Sequence, residues 1–277
     1  MSITPENGQF SATWMPVRRM REEMRHRTHR WAVILESRNP GRRSASREAF
    51  LTQAQERIGP CVSPQQTLLL LQSGQDPLQT PALDCYPAQH VFAQPEVFGT
   101  LPRMLWSLAY LADLDAEAVV VFFPARGPQA DEHFFFQGVT DAFSVIESRD
   151  FQDSVVILGT SPRQIEPDCE WIEPKPSILG CSGGMVRPIL RFWDSPAPQS
   201  AHDLQQRGCL LNTSVMIGRV AVFLELFESV WKRESPRPSL ETISARLSAV
   251  DCSSLLKANA ARLLVLPVRE QSFSTGP

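Results

Sequence analysis

AVVVFFPARGPQADEHFF, residues 118–135, is the stretch that decides the fold. Its first half is a short apolar run rich in β-branched and aromatic residues, and Pro124 ends it, which predicts a buried strand. Ligands of open α/β sheets bind just beyond the carboxyl ends of the strands. Ala125, Arg126 and Gly127 follow this strand. An arginine therefore stands where a metal-dependent enzyme would place a carboxylate.

Strands and helices alternate on both sides of that stretch. We expect four apolar runs to be neighbouring central strands, at 31–35, 67–71, 119–123 and 155–158. Helical periodicity lies between them, at 47–59, 101–114 and 131–148. In the second of these helices, Leu105, Leu108 and Leu111 are expected to pack on the sheet. The alternation predicts an α/β fold, a Rossmann-like and mostly parallel sheet with helices on both faces.

Composition and charge restrict the classes of function. The chain has 277 residues, of which 43% are hydrophobic and 21% are charged, enough for one sizeable core. Its net charge of −3 argues against a general nucleic-acid binder, because such domains are usually basic. No run reaches the roughly 18 apolar residues of a membrane span. The six cysteines lack zinc-ligand spacing and are typical of reduced thiols, so we expect a cytoplasmic protein without membrane or nucleic-acid partners.

Residues 17–30 are an exception to this charge balance, with six arginines and two histidines against two glutamates. Two explanations stand: a basic arm that contacts phosphates or an acidic partner, or a solvated helix that leads into the fold. We assign 1–29 to a basic, partly disordered N-terminal extension and 30–277 to one α/β domain.

Seven stretches in a fixed order resemble the sugar-phosphate nucleotidyltransferases, and most closely mannose-1-phosphate guanylyltransferase. They are RWAVILE (30–36), FLTQAQERI (50–58), AQPEVFGTLPRMLWSLAYLA (93–112), VVVFFPA (119–125), VILGTSPRQIEPDCEWIEP (156–174), RFWDSPAPQSAHDLQQRGCLLNTSVMIGR (191–219) and LLVLPVREQSF (263–273). The resemblance implies a GT-A-type domain in which a sugar 1-phosphate attacks a nucleoside triphosphate and pyrophosphate leaves. That reaction needs a phosphate-cradling loop, basic side chains and carboxylates for Mg²⁺.

The nucleotide side of the implied site is altered. The resemblance places the nucleotide beside Arg38, Arg42, Arg43, Gly99 and Thr100. The family's glycine-rich turn is here SRNPGRRSAS (37–46), which keeps one glycine and contains a proline that has no N–H to donate. The three arginines either attract phosphate by their charge or are solvated. Further along, Arg103 replaces a small residue of the family pattern.

Both metal positions implied by the resemblance have lost their acid. Arg126 stands in place of one aspartate and Thr275 in place of the other. Asp131 and Glu132 either substitute as ligands or form the acidic first turn of a helix. Mg²⁺ is therefore expected only if the protein is active, and the sequence offers no confident catalytic residue or metal ligand.

The sugar side of the implied site is better preserved. Glu173 in EWIEP and Asn212 in LLNTSVM stand where the family has sugar ligands. Glu170 replaces a glycine of the family pattern, and Asp194 and Ser195 stand where the family has Glu-Lys, so the lysine is lost.

Changed loops on an intact core are typical of a non-catalytic descendant, because stability depends on the core and not on the site. Three hypotheses follow. The protein is an active enzyme that makes a GDP-mannose-like nucleotide sugar with an altered site, or a pseudoenzyme that binds a nucleotide, a sugar phosphate or a partner subunit, or a decaying gene product of marginal stability. We favour reduced or lost catalysis. The sequence contains no feature from which we predict the number of subunits.

Overall fold

The computed structural model describes residues 29–36, 47–72, 81–94, 99–124, 132–162, 169–181, 184–228, 240–247 and 252–268. The strands are β1 Arg30–Leu35, β2 Thr67–Gln72, β3 Val91–Gln94, β4 Val119–Pro124, β5 Val155–Thr160, β6 Trp171–Pro174, β7 Leu179–Cys181, β8 Gly184–Trp193, β9 Leu210–Arg219 and β10 Leu263–Val268. The α-helices are α1 Arg47–Ile58, α2 Thr100–Leu114, α3 Glu132–Glu147, α4 Pro198–Gln206, α5 Val220–Phe227, α6 Leu240–Leu247 and α7 Cys252–Ala258. Within these residues no helix is both long and apolar enough to cross a bilayer.

Helices cover both faces of the sheet, as the sequence predicts. The first core cluster joins one face of the sheet to α2, α5, α6 and α7, and the second joins the other face to α1 and α3. Because both faces are covered, β1 and β5 are buried along their whole length. Leu105, Leu108 and Leu111 of α2 are fully buried in the first cluster, which confirms the predicted inward face of this helix.

The main sheet is mixed, which corrects the expectation of a mostly parallel sheet. Its order is β3-β2-β1-β4-β9-β5-β10, and four of the ten strand pairs in the described residues are parallel. The strand β9 pairs antiparallel with both β4 and β5 and lies between them. The prediction that 119–123 and 155–158 are neighbours is therefore wrong. Pairing between distant strands is not encoded locally, so two apolar runs that follow one another did not have to meet.

The antiparallel strands close part of the sheet on itself. The strand β8 pairs with β10 and β6, and β6 also pairs with β9, so the pairings run β9-β5-β10-β8-β6 and return to β9. A small third cluster, which includes Trp171, Leu204 and Leu211, fills the space between this extension and α4. The short strand β7 pairs with the start of β8.

Candidate functional site

The strand β9 carries a bulge beside the carboxyl ends of β4 and β5. Its ladder with β4 stops at Met216, two residues before β4 ends. Its ladder with β5 breaks after Met216 and resumes at Asn212, so residues 213–215 oppose Leu158 alone. Bulges are over-represented next to active sites, and ligands of α/β sheets bind at this edge. We therefore take the bulge as the centre of the candidate site.

Side chains supply the hydrogen bonds that the bulge removes from the ladder. Thr213 Oγ1 donates to the carbonyl oxygen of Leu158 at 2.7 Å and accepts from the amide of Val215 at 3.2 Å. The amide of Ser214 donates to Asn212 Oδ1 at 2.8 Å. Short polar side chains compete well for local backbone groups, which explains the sequence Asn-Thr-Ser at this point. The bulge is thus a defined conformation and not a frayed strand end.

Ser214 is the unusual residue of the bulge. Its φ of 60° lies in the left-handed region, which side chains with a Cβ rarely adopt. It is exposed, whereas the residues on either side of it in β9 are buried. Its hydroxyl has no hydrogen-bond partner among the described residues. The strand therefore presents one polar side chain, on strained backbone, at the edge where ligands bind.

A chain of polar contacts holds the bulge from the side of β6 and α7. Asn212 Nδ2 donates to Glu170 Oε2 at 2.5 Å, and the amide of Asn212 donates to the carbonyl oxygen of Glu170 at 2.8 Å. Lys257 Nζ lies 3.8 Å from Glu170 Oε1 and donates to Asp194 Oδ2 at 2.5 Å. The hydrogen bond from Lys257 holds the pKa of Asp194 below its usual value. Two carboxylates therefore share one ammonium group beside Asn212.

Glu173, the other predicted sugar ligand, is buried in a separate cluster. Its Oε1 forms an ion pair with Arg207, and its Oε2 accepts from Trp193 Nε1 at 2.9 Å. Arg191 Nε lies 3.1 Å from the same Oε2, and the Arg191 guanidinium stacks 4.9 Å from the centre of the Trp193 ring. Both carboxylate oxygens of Glu173 are thus already engaged by the protein.

The two predicted sugar ligands lie on opposite faces of the antiparallel extension. Successive side chains of a strand alternate between faces, and Glu170 and Glu173 are three residues apart. Asn212 contacts Glu170, whereas Glu173 contacts Arg207 beyond the end of α4. The structure therefore does not bring Asn212 and Glu173 together. The residue that it places beside Asn212 is Glu170, which the sequence showed only as a replaced glycine.

Arg103 ties the carboxyl ends of β1 and β2 together. It is 6% exposed, and its Nη2 donates to the carbonyl oxygens of Glu36 at 2.7 Å and Leu70 at 3.2 Å. Its Nε is buried without a hydrogen-bond partner in the described part of the chain. Burial lowers the pKa of Arg103, and the nearby charge of Glu36 opposes that shift. Gly99 and Thr100, the predicted nucleotide contacts, are exposed at the start of the same helix.

Several predicted site residues lie outside the described residues: Arg38, Arg42, Arg43, Arg126, Asp131 and Thr275. Glu132 is the first residue of α3, and its side chain is not described. In the described ranges, no group of three or more His, Cys, Asp or Glu side chains is placed to hold a metal ion. Glu170 and Asp194, the acids beside the bulge, are engaged by Lys257 and so do not fit Mg²⁺.

The strand pairings and the helices on both faces define an α/β protein with a mixed sheet, and β9 carries a bulge at its carboxyl edge. No protein-family model matches the chain, and no curated protein is similar to it in sequence. Solved structures do share the fold. A mannose-1-phosphate geranyltransferase from Thermus thermophilus is 19% identical with a TM-score of 0.66, over 87% of this chain and 74% of that one.

Two further solved structures share the same architecture. A mannose-6-phosphate isomerase from Helicobacter pylori is 13% identical with a TM-score of 0.63, over 88% of this chain and 98% of that one. A protein from Bacillus anthracis named as a glucose-1-phosphate thymidylyltransferase is 10% identical with a TM-score of 0.55, over 86% of both chains. All three proteins are named after a sugar phosphate. Likeness at these identities shows the fold of this chain.

Proposed function

We propose that the protein is a GT-A-type, Rossmann-like sugar-phosphate nucleotidyltransferase with reduced or lost catalysis, which binds a sugar phosphate or a nucleotide at the carboxyl edge of its sheet. The observation that carries the proposal is the bulge of β9 at that edge, in a fold shared over 87% of the chain with a protein named after mannose 1-phosphate. The resemblance of seven sequence stretches to mannose-1-phosphate guanylyltransferase supports mannose 1-phosphate and GTP as first ligands to test.

The cations of the described edge support the loss of catalysis. Nucleotidyl transfer depends on neutralising the charge of the leaving pyrophosphate. Arg103 spends two of its hydrogen bonds on backbone carbonyl oxygens, and Lys257 is paired with Glu170 and Asp194. Both therefore serve the protein's own acceptors. We derive no step through a magnesium ion, because the described residues do not fit one.

Binding without turnover is still compatible with the site. Asn212 uses its Oδ1 and one of its N–H bonds inside the protein, so its second N–H is the group that it can offer to a ligand acceptor. The guanidinium of Arg126, which follows β4 in sequence, has the geometry to pair with a phosphate in a bidentate way. We therefore expect at most metal-independent binding, through Arg126, Arg42 and Asn212.

Two measurements on the same preparation test the proposal. The first is pyrophosphate release with Mg²⁺ or Mn²⁺, with GTP and other nucleotides scanned against mannose 1-phosphate and glucose 1-phosphate. The second is titration calorimetry with each ligand alone. We expect slow or absent release together with measurable binding of a sugar phosphate or nucleotide. An absence of binding by every ligand would overturn the proposal.

A different result would overturn only the loss of catalysis. Robust Mg²⁺-dependent synthesis of GDP-mannose, abolished by Asp131→Asn or Glu132→Gln, would show that these two acids are relocated metal ligands. The double change Arg126→Asp with Thr275→Asp restores both acids but not the shortened loop. We expect it to restore metal binding before it restores turnover.

One observation favours a second candidate function, binding of a partner protein. Ile178, Met185 and Leu190, on and beside β7 and β8, are 59%, 47% and 45% exposed. Large apolar side chains left exposed on the surface can take part in an interaction with a partner. Light scattering of the parent and of a Met185→Ser, Leu190→Ser variant would test this reading. A partner-binding role predicts self-association or capture that the double variant loses.

A further inference from the structure

The outer side of α2 carries large apolar side chains that remain partly exposed. Trp106, Tyr110 and Leu114 follow one another at intervals of four residues, which places them on one face of the helix. The two aromatic residues are half-buried, and Leu114 is 50% exposed. Phe92 of β3 joins them, because its ring centre lies 4.6 Å from that of Trp106 and 5.4 Å from that of Tyr110. We call these four side chains the aromatic face.

The aromatic face lies at an edge of the sheet. The strand β3 is the terminal strand of the sheet order, so no described strand pairs with its outer side. The rings of Trp106 and Tyr110 stack beside it, with centres 5.5 Å apart and planes inclined by 20°. Three partly exposed rings in mutual contact offer a large apolar area for another segment to cover.

Acidic residues continue this surface where α2 ends. Asp113 and Glu117 are exposed, and Asp115 is the C-cap of the helix. The last turn of α2 contains no basic residue, so the carboxylates add to the negative end of the helix dipole. Arg219 lies 3.5 Å from Glu117, and His29 lies 2.9 Å from Asp115. Three acids within residues 113–117, at the negative end of a helix, favour a cationic partner.

The amino-terminal segment of the chain enters the fold at this surface. His29 is the first described residue, its carbonyl oxygen accepts from the amide of Val119 at 2.8 Å, and its ring contacts Asp115. Residues 17–28 lie outside the described residues, and they precede His29 directly. Twelve residues can span roughly 40 Å, whereas Asp115 and Trp106 are only about 14 Å apart along the helix axis. The segment is therefore long enough to reach the aromatic face.

The composition of residues 17–28 matches that surface. The segment has five arginines and one histidine against two glutamates. Val17, Met20 and Met24 are spaced three and four residues apart, which is the repeat of one helix face. Methionine sulfur atoms and arginine guanidinium groups both pack favourably on aromatic rings. The segment thus has apolar side chains that suit the aromatic face and cations that suit the acids beside it.

We propose that residues 17–28 dock on α2 of their own chain, with their methionines against the aromatic face and the arginines nearest His29 against the acids at 113–117. The inference is independent of the proposed function, because it uses neither the bulge nor a ligand. It gives the basic segment an acidic partner within the same molecule, and it covers the outer side of α2 beside the edge strand β3.

Cleavage of the full chain by trypsin measures this docking. The monitored sites are Arg18, Arg19 and Arg21, and mass spectrometry identifies the fragments. The segment variant Arg25→Glu, Arg27→Glu reverses the charges nearest the acids and leaves the three monitored sites in place. It changes nothing in the described fold, so faster cleavage cannot result from unfolding of the domain.

Two further variants and a control complete the set. Asp113→Arg is the surface variant, and a cation in the last turn of α2 suits the helix dipole, so the helix should stay folded. Asp203→Arg, at an exposed position near the end of α4, is its matched control. Met20→Ser, Met24→Ser is the methionine variant, which tests the contact with the aromatic face.

We expect slow cleavage of the parent, and cleavage about 3- to 10-fold faster in the segment, surface and methionine variants. Asp203→Arg should behave as the parent does. The segment variant combined with Asp113→Arg should be cleaved more slowly than the segment variant alone, because charges on both sides of the contact are then exchanged. Added salt should accelerate cleavage of the parent, because it screens the ion pairs.

Three results would overturn the inference. If the monitored sites of the parent are cleaved as fast as those of the segment variant, the segment is not docked. If the charge exchange restores no protection, the segment does not meet the acids of α2. If protection of the parent falls on dilution, a second copy supplies the segment, because docking within one chain does not depend on concentration.

Discussion

Buried polar side chains are paired more completely at the amino end of the sheet than at its carboxyl end. At the amino end, Arg30 at the start of β1 forms a bidentate pair with Glu147 at the end of α3, at 2.6 and 2.7 Å. The Arg30 guanidinium also lies 4.9 Å from the centre of the Phe143 ring. Asp115, between α2 and β4, accepts from Trp31 Nε1 at 2.9 Å and contacts His29 at the same distance.

At the carboxyl end the groups are less completely matched. Arg103 is as buried as Arg30 but spends its Nη2 on carbonyl oxygens, with its Nε unpartnered in the described residues. Ser214 holds a strained backbone with an exposed hydroxyl. The difference teaches that the amino end pairs its buried arginine completely, whereas the carboxyl end, although it holds the Lys257–Asp194 pair, leaves a buried arginine and a strained serine incompletely paired, and it is there that we propose that binding occurs.

Removal of one partner from the amino-end ion pair should have the largest effect on stability. Glu147→Gln leaves the buried Arg30 guanidinium without its counter-charge, so we expect a loss of about 3–5 kcal/mol in the free energy of unfolding. Glu225→Gln is the matched control, because Glu225 pairs with Arg262 at 2.9 Å but both side chains are considerably exposed. Its loss should stay below about 1 kcal/mol. If urea denaturation showed that Glu147→Gln and Glu225→Gln lose the same free energy of unfolding, the amino-end pair would be no more stabilising than an exposed one.

Truncation of a core side chain of α2 should give the second-largest loss of stability, and this loss provides a scale for that of Glu147→Gln. Leu108→Ala should cost about 2–5 kcal/mol, because the leucine is fully buried against the sheet and the neighbouring side chains cannot fill the space. Leu114, on the same helix, is 50% exposed, so Leu114→Ala should cost far less. A thermal melt of Leu108→Ala that overlays the parent would show that the inward face of α2 is misassigned.

Replacement of the carboxyl-end arginine should cost less than that of the amino-end pair. Arg103→Met loses the two hydrogen bonds to Glu36 and Leu70 but also removes a buried cation with an unpartnered Nε, so a net loss of about 1 kcal/mol is expected. Hydrogen exchange at the amide of Glu36, which donates to Leu70 at 3.0 Å, should become faster. A loss of stability as large as that of Glu147→Gln would show that the buried arginines at the two ends of the sheet contribute equally to stability.

The smallest expected effect is the pH dependence of stability that arises from His90, at the amino end of β3. Burial lowers the pKa of His90, with a backbone hydrogen bond to Gln65 acting against it. The unfolded chain therefore binds a proton at a higher pH than the folded protein, so stability falls as pH drops through about 6.5. Urea midpoints across that range should fall less for His90→Gln than for the parent, whereas His202→Gln, on the exposed surface of α4, should follow the parent. If the urea midpoint of His90→Gln depended on pH as steeply as that of the parent, other groups would be responsible for the acid sensitivity.

Local patterns in the sequence were sufficient for the elements and for the core face of α2. Apolar runs predicted β1, β2, β4 and β5 to within one or two residues, and the spacing of Leu105, Leu108 and Leu111 identified the face that the structure buries. These features depend on neighbours in the sequence. The position of β9 depends on pairing with β4 and β5 across long loops, and no local pattern encodes it.

The candidate site was harder to predict for the same reason. Lys257 meets Asp194 from 63 residues away, so no motif joins them. Glu170 could be recognised in the sequence only as a replaced glycine, because its partner Asn212 is 42 residues further on. One local signal was available: the polar triplet 212–214 interrupts the apolar run LLNTSVMIG, and such short polar side chains compete with the ladder for backbone groups. Arg103, a charged residue within an apolar helix face, was a second such signal.

The closed set of strand pairings has a consequence for synthesis on the ribosome. The strand β10 lies between β5 and β8, yet it is the last described strand to leave the exit tunnel. Until residue 268 has emerged, β5 and β8 cannot be joined, and each presents unpaired backbone groups to solvent or to a chaperone. The half of the sheet formed by β1 to β4 is translated well before then. In nascent chains stalled before residue 263, β1 should therefore already resist proteases, whereas β5 should still be cleaved.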